Sequence, residues 1–200
     1  TRRSSDLPNC VAYDPCFAYE LAVIAHDGLK RMYQDQESVF YYLTVMNENY
    51  HQPAMPEGSE KGIIRGMYRL QKGGRKKTRV QLLGSGTILR EVIAAADLLE
   101  KDFNVSADVW SVTSFTELRR DGMAVDRWNM LHVEEEPRRA YVEELLADAK
   151  GPAIAATDYM RTYADQIRPW IHRRFVVLGT DGFGRSDMRS QLRKFFEVNR

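Results

Sequence analysis

Cysteine is scarce. Cys10 and Cys16 are the only two among 200 residues. They form neither a CxxC pair nor a metal-ligand spacing. A bridge between residues so close in the chain needs a particular backbone geometry, and two buried or half-buried thiols in a reducing cytoplasm are the expected state. No sign of charge dominates: 29 Lys and Arg against 28 Asp and Glu leave a formal net charge of +1. No field therefore calls for nucleic acid or a membrane surface as partner. The longest basic run, Arg75, Lys76 and Lys77 with Arg79 close by, reads as a solvated linker. No apolar run approaches the ~20 residues of a membrane helix. No secretory signal is visible from Thr1 onward. Neither a solenoid-length repeat nor a low-complexity tract occurs. Of four histidines, His26, His132 and His172 stand apart from other candidate ligands and read as packed or surface residues.

What is present is an ordinary globular composition, 44% hydrophobic and 28% charged, long enough for one domain or two small ones. Asp14 and Pro15 read as the N-cap and first position of a helix whose apolar residues Phe17, Leu21, Ile24 and Leu29 recur to about Met32. The apolar run 39–46, which includes the Tyr41–Tyr42 pair, predicts a buried strand. A Pro- and Gly-bearing loop and a short helix over 59–68 follow. The stretch 71–78, polar and carrying Gly73–Gly74, is the best domain boundary. Beyond it, strands at 79–83, 108–112, 152–156 and 174–178 alternate with helices. These span 87–102, 116–131 (with Thr116 as cap), 137–148, 160–171 and 187–196. Such alternation implies an α/β fold with a mostly parallel sheet covered on both faces.

The candidate chemistry begins where residue 46 gives way to Asn47, Glu48, Asn49, Tyr50, His51 and Gln52. Polar clusters at the carboxyl end of a strand are where open α/β sheets place ligands. Glu48 and His51 could relay a proton, or Glu48 and Asn49 could satisfy backbone groups in a turn. A metal site would need more ligands than lie nearby. Gly84-Ser85-Gly86 holds the Rossmann position between strand and helix. However, Leu89 replaces the third glycine, and Ser114 and Phe115 stand where an acid should hold the ribose. The two glycines read instead as a tight turn. A second such turn, 181–187, places Phe183 among glycines. It is either a structural turn capped by Ser186 or Asp187, or a contact surface, and the amides at the following helix start could hold an anion. Trp110, Trp128 and Trp170 read as core or interface anchors. Trp128, flanked by Arg127 and Asn129, is the interface candidate. Glu134 to Glu136 ahead of Pro137, Arg138 and Arg139 read as acids at a helix start.

Seven ordered stretches carry a resemblance: VFYYLTVM (39–46), NENYHQPAMPEG (47–58), VQLLGSGTILR (80–90), TSFTEL (113–118), DRWNMLH (126–132), ATDYM (156–160) and LGTDGFGRSD (178–187). Together they resemble the homodimeric, thiamine-dependent decarboxylase components of bacterial pyruvate dehydrogenases, in the transketolase superfamily. Val133 and His172 depart from the family's more usual proline, and Cys16 from a small residue. The resemblance implies a C-terminal fragment of a protein several times longer. Residues 1–72 would end a thiamine pyrimidine-binding domain, and 73–200 would form a Rossmann-like, truncated transketolase C-terminal domain that binds no nucleotide. It implies thiamine diphosphate and Mg2+ in the parent, held mainly by segments upstream. It also implies a homodimer partner, a lipoyl-bearing acetyltransferase as the next component, and a cytoplasmic location in glycolytic pyruvate metabolism. No catalytic, cofactor or metal residue is assigned within the chain. Asn47, Glu48 and His51 are expected at the rim of the substrate channel, and the fragment alone is expected to be inactive. A non-catalytic binding or assembly module is the alternative.

Overall fold

The computed structural model describes residues 7–199. The chain builds two sheets. Strands β1 (Cys10–Tyr13) and β2 (Phe40–Leu43) pair in parallel, Cys10 opposite Phe40, and are linked by α1 (Ala18–Leu29) with a π-helical turn over Lys30–Gln34. After α2 (Glu60–Arg65) come β3 (Tyr68–Gln71), β4 (Thr78–Gly84), α3 (Ile88–Asp102), β5 (Val105–Ser111), α4 (Phe115–Leu131) and α5 (Tyr141–Leu146). β6 (Ala153–Ala156), α6 (Arg161–Asp165), a 3-10 turn (Arg168–Trp170), β7 (Phe175–Leu178) and α7 (Arg189–Phe195) complete it. The second sheet has the order β3-β5-β4-β6-β7; β3 is antiparallel and the other four strands are parallel.

Period-2 alternation sorts the strand side chains between two cores. Val80, Leu82, Ala107 and Val109 pack under α3 with Ile88, Leu89 and Val92. Leu83, Trp110 and Val112 face the other way, onto Phe115, Leu118, Val142 and Trp170. The parallel strands are therefore apolar on both faces, as a doubly covered sheet requires.

Several local expectations fail for identifiable reasons. Asp14 does not cap α1. Its carboxylate accepts hydrogen bonds from Thr44 Oγ1 (2.7 Å), Tyr159 Oη (2.8 Å) and Tyr163 Oη (3.0 Å). The helix instead starts after Phe17, and the Glu20 carboxylate accepts from the Cys16 and Phe17 N–H groups. β2 is shorter than 39–46 and is not buried: it is half-exposed at the margin of a two-stranded sheet, with Tyr42 53% exposed. α2 stops at Arg65 because Gly66 turns left-handed at φ 98°. The next residues then form β3, a strand absent from the sequence reading. Ser114, not Thr116, caps α4, accepting from the Glu117 N–H. α5 begins at Tyr141 rather than 137, because the Asn129 side chain holds both backbone groups of Arg138 in an extended approach. The helix expected over 160–171 divides where Pro169, without an N–H, enters a 3-10 turn. α7 starts at Arg189 after Met188; among the described residues Asp187 accepts only from the Met188 N–H, and neither it nor Ser186 caps the helix.

The Gly73–Gly74 stretch is the β3–β4 connection. It is pinned to β5 by the bonds Gly73 N–H to Asp108 and Lys76 N–H to Ser106 Oγ. A Cβ on Gly73 would lie 2.5 Å from the Ala107 carbonyl oxygen, so the close approach demands glycine.

Candidate functional site

In the second sheet the chain leaves β4 toward β5 on one side, and later returns to β6 on the other. The strand order therefore reverses between β4 and β6. Outside their carboxyl ends lies the crevice where doubly wound sheets bind ligands. It encloses about 160 Å3, with Ser85 and Thr87 following β4, Thr157 and Tyr159 following β6, and Asp14 and Thr44 entering from the first sheet. The chain fills this crevice itself. The Gly86 N–H, which would face a pyrophosphate in a dinucleotide site, donates to the Asp14 carbonyl at 3.0 Å. Gly86 has φ 52°, as the tight turn requires.

Beside the crevice runs the polar loop that leaves β2. It lies over the starts of α1 and α3. Tyr50 Oη donates to the Cys16 carbonyl, Gln52 Oε1 accepts from the Ala18 N–H at 2.9 Å, and the Arg90 guanidinium sits 4.3 Å from the Tyr50 ring centre. The Asn47 side-chain oxygen accepts from Arg189 Nη2. Glu48 faces three guanidiniums: Arg90 at 3.2 Å, Arg189 at 3.4 Å and Arg193 at 3.8 Å. Burial works to raise its carboxyl, but Arg90, Arg193 and Arg189 outweigh burial and hold it below the usual range. His51 is exposed on the same loop. The loop thus brings Asn47 and Glu48 together with α7, while His51 faces solvent.

Further on, α7 and the loop before it wall a cavity of about 360 Å3 that shares Met46 and Asp158 with the crevice. Burial raises the Asp158 carboxyl, with Arg193 and Arg189 acting in opposition. The sequence reading missed Arg90, Arg189 and Arg193. The available signal was the spacing of Arg189 and Arg193, four apart and so on one side of a short helix, with Arg185 a further four residues upstream in the preceding loop. Trp128, the interface candidate, stacks on His132 (4.4 Å) and under Arg138 (3.6 Å), securing the α4–α5 connection. Phe183 is 95% exposed. Cys10 and Cys16 are free and buried, and burial pushes the Cys16 thiol up to about 12. Among the described residues no group of three or more His, Cys, Asp or Glu converges to hold a metal ion, and no helix is long and apolar enough to cross a membrane.

Residues 66–199 match the family described as the transketolase-like TK C-terminal domain, and residues 2–53 match the pyruvate dehydrogenase E1 component middle domain. The chain is 61% identical over 196 residues to a pyruvate dehydrogenase E1 component of Cupriavidus necator. That match covers 97% of the chain and 22% of the relative. It is 60% identical to that of Pseudomonas aeruginosa and 57% to that of Escherichia coli K12. The chain spans about a fifth of the length of these relatives. Among solved structures, a transketolase R525L mutant from Pichia stipitis superposes with TM-score 0.63 at 18% identity, over 96% of this chain and 24% of that one. A split-gene transketolase described as an inactive beta4 tetramer superposes with TM-score 0.56 at 15% identity, over 96% of this chain and 55% of that one. At such identities these two likenesses speak for the fold alone.

Proposed function

The chain belongs to the transketolase-like C-terminal domain family, and on that premise we propose that it works as part of a pyruvate dehydrogenase of the acetyl-transferring kind. The single observation that carries this reading is identity near 60%, spread over almost the whole chain, to proteins named pyruvate dehydrogenase E1 component. In that reading the parent decarboxylates pyruvate and passes the acetyl unit to a lipoyl group on the acetyltransferase component of its complex. Thiamine diphosphate with Mg2+ would supply the carbanion stabilisation, held by segments outside this chain. The part in hand contributes the rim of the site, through Asn47, Glu48 and His51, and a surface for a homodimer partner. In this reading residues 1–72 end the pyrimidine-binding unit and 73–200 form the transketolase-like C-terminal unit. A reducing, cytoplasmic setting suits the two unpaired thiols.

The loop's position supports a rim role. It leaves a parallel strand at the carboxyl end, beside the switch-point crevice. Its carboxylate is engaged by arginines, and its imidazole is free to meet what enters. In the full-length parent, His51→Ala should lower turnover with pyruvate by roughly 1–3 kcal/mol of transition-state stabilisation and leave thiamine affinity intact. Wild-type kinetics would reduce the loop to a structural turn. The isolated 200-residue chain, supplied with thiamine diphosphate, Mg2+ and pyruvate, should release no carbon dioxide above a protein-free control. Release would show that the chemistry resides here after all.

A further inference from the structure

The cavity of about 360 Å3 beside α7 has the volume of a small-metabolite pocket. Its walls include Asp158, Thr180, Arg185, Arg189, Arg193 and Phe196. Three guanidiniums line it, Arg185, Arg189 and Arg193, and a fourth, Arg90, joins them through the shared carboxylate of Glu48. Two carboxylates, Glu48 and Glu91, engage three of the four. Arg185 lies 4.0 Å from the Phe195 ring and has no carboxylate partner among the described residues. The formal surplus is +2, or +1 with Asp158 ionised; burial raises the Asp158 carboxyl and disfavours its charge.

Glu48 does not satisfy its partners. Charge-assisted N–H to carboxylate bonds close to about 2.7–2.9 Å, whereas Glu48 is shared among three guanidiniums at 3.2, 3.4 and 3.8 Å. Arg90 Nη1 is buried, and its 3.2 Å ion pair with Glu48 falls short of hydrogen-bond geometry. Gly182 and Gly184 also line the cavity, and a Cβ on either would meet nothing within 4 Å. Arg189 bonds Asn47 and Glu48, and Arg193 bonds Thr87 and Glu91, so their present partners are side chains that a ligand can compete with. The site joins these exchangeable donors to excess positive charge and open space. We propose that it binds a small dianionic metabolite, of phosphate-ester or dicarboxylate type, through Arg185, Arg189 and Arg193. Glu48 is the tethered counter-ion that the ligand displaces. Guanidinium forks match both anion types in two-point geometry.

The test is a titration of the 200-residue chain with inorganic phosphate and, separately, with succinate. Ionic strength is held constant and arginine Nε–Hε signals are followed. Saturable binding is expected for at least one probe. The stronger probe identifies the ligand type, and failure of both overturns the site. Glu48→Gln should tighten binding several-fold by removing the internal competitor. Arg189→Gln and Arg185→Gln should each weaken it about tenfold. Arg185 is exposed and, among the described residues, pairs only with a ring, so its variant carries the test if Arg189→Gln fails to fold. Arg139→Gln, far from α7 in the chain and paired with Glu143, should leave affinity unchanged. Equal loss in Arg139→Gln, or no tightening in Glu48→Gln, would mean nonspecific attraction to a basic surface.

Discussion

Glu20 is one tie between the two sheets. Its side chain is fully buried with no ion-pair partner among the described residues, and its oxygens accept from Cys16 N–H (2.6 Å), Phe17 N–H (3.0 Å), Tyr68 Oη (2.7 Å) and Ser111 Oγ (2.6 Å). One carboxylate thus starts α1 and ties it to β3 and β5. Removing it strands several donors away from water, each costing about 1–3 kcal/mol. Glu20→Ala should therefore destabilise the chain by at least ~3 kcal/mol in urea unfolding, and Glu20→Gln, which keeps one acceptor, by less. Equal losses would mean that the retained shape and single acceptor of glutamine contribute nothing there and that the site requires both carboxylate oxygens. Asp108 sets a different kind of dependence. Burial raises its carboxyl, but Gln81, the Gly73 amide and Arg79 outweigh burial and hold it below the usual carboxylate range. A group with a depressed folded pKa adds stability that is complete above its unfolded value, about 3.9, and is lost as pH falls through the folded value. Asp108→Asn should lower stability at pH 7 and flatten the decline of stability below pH ~4. An unchanged acid limb would assign that decline to other carboxylates.

At the scale of elements, α4 shows packing overriding propensity. Gly122 lies in the middle of this helix, where alanine is ordinarily better by about 1 kcal/mol. Yet a Cβ there would sit 2.3 Å from the Trp170 ring, whose indole N–H is anchored on Asp126 at 3.0 Å. Overpacking costs roughly 1–3 kcal/mol, so Gly122→Ala should be net destabilising, and a stabilised variant would show the ring free to move. This contrast explains what was legible in the sequence. α3 and the parallel strands β4 to β7 were readable because local period and buried face agree: Val80 and Leu82 alternate with Leu83, and Ile88, Leu89 and Val92 follow a turn with a left-handed glycine. β3 was not, because Tyr68–Gln71 alternates too briefly to outvote the helix before it. Asp14 was misplaced because capping is a local inference, whereas Tyr159 and Tyr163 reach it from the far end of the chain. The polar loop was legible as a site in residue type. Its arginine partners were not, since α3 and α7 meet it only through the tertiary fold.

For the whole molecule the question is whether the two sheets are separate units. Composition points to a seam at Gly73–Gly74, and a two-stranded sheet such as β1–β2 is marginal alone. The contacts argue against independence. Besides Glu20, the Asp14 N–H donates to the Thr113 carbonyl at 2.7 Å, Ser114 Oγ donates to the Ala12 carbonyl at 2.6 Å, and Arg120 Nη2 donates to the carbonyls of Leu7 and Cys10. Most of these groups are buried, so separating the sheets would expose or strand them all together. One cooperative transition is the expected consequence. The chain reports on it with built-in asymmetry: Trp110, Trp128 and Trp170 all lie in the second unit, whereas far-ultraviolet circular dichroism weighs both. In urea, tryptophan fluorescence and circular dichroism should therefore give coincident transitions. A trypsin cut at the exposed Arg75 to Lys77 should leave both pieces co-eluting, because β3 stays paired to β5. A circular-dichroism loss that precedes the fluorescence change, or pieces that part on cleavage, would show that the first sheet unfolds alone.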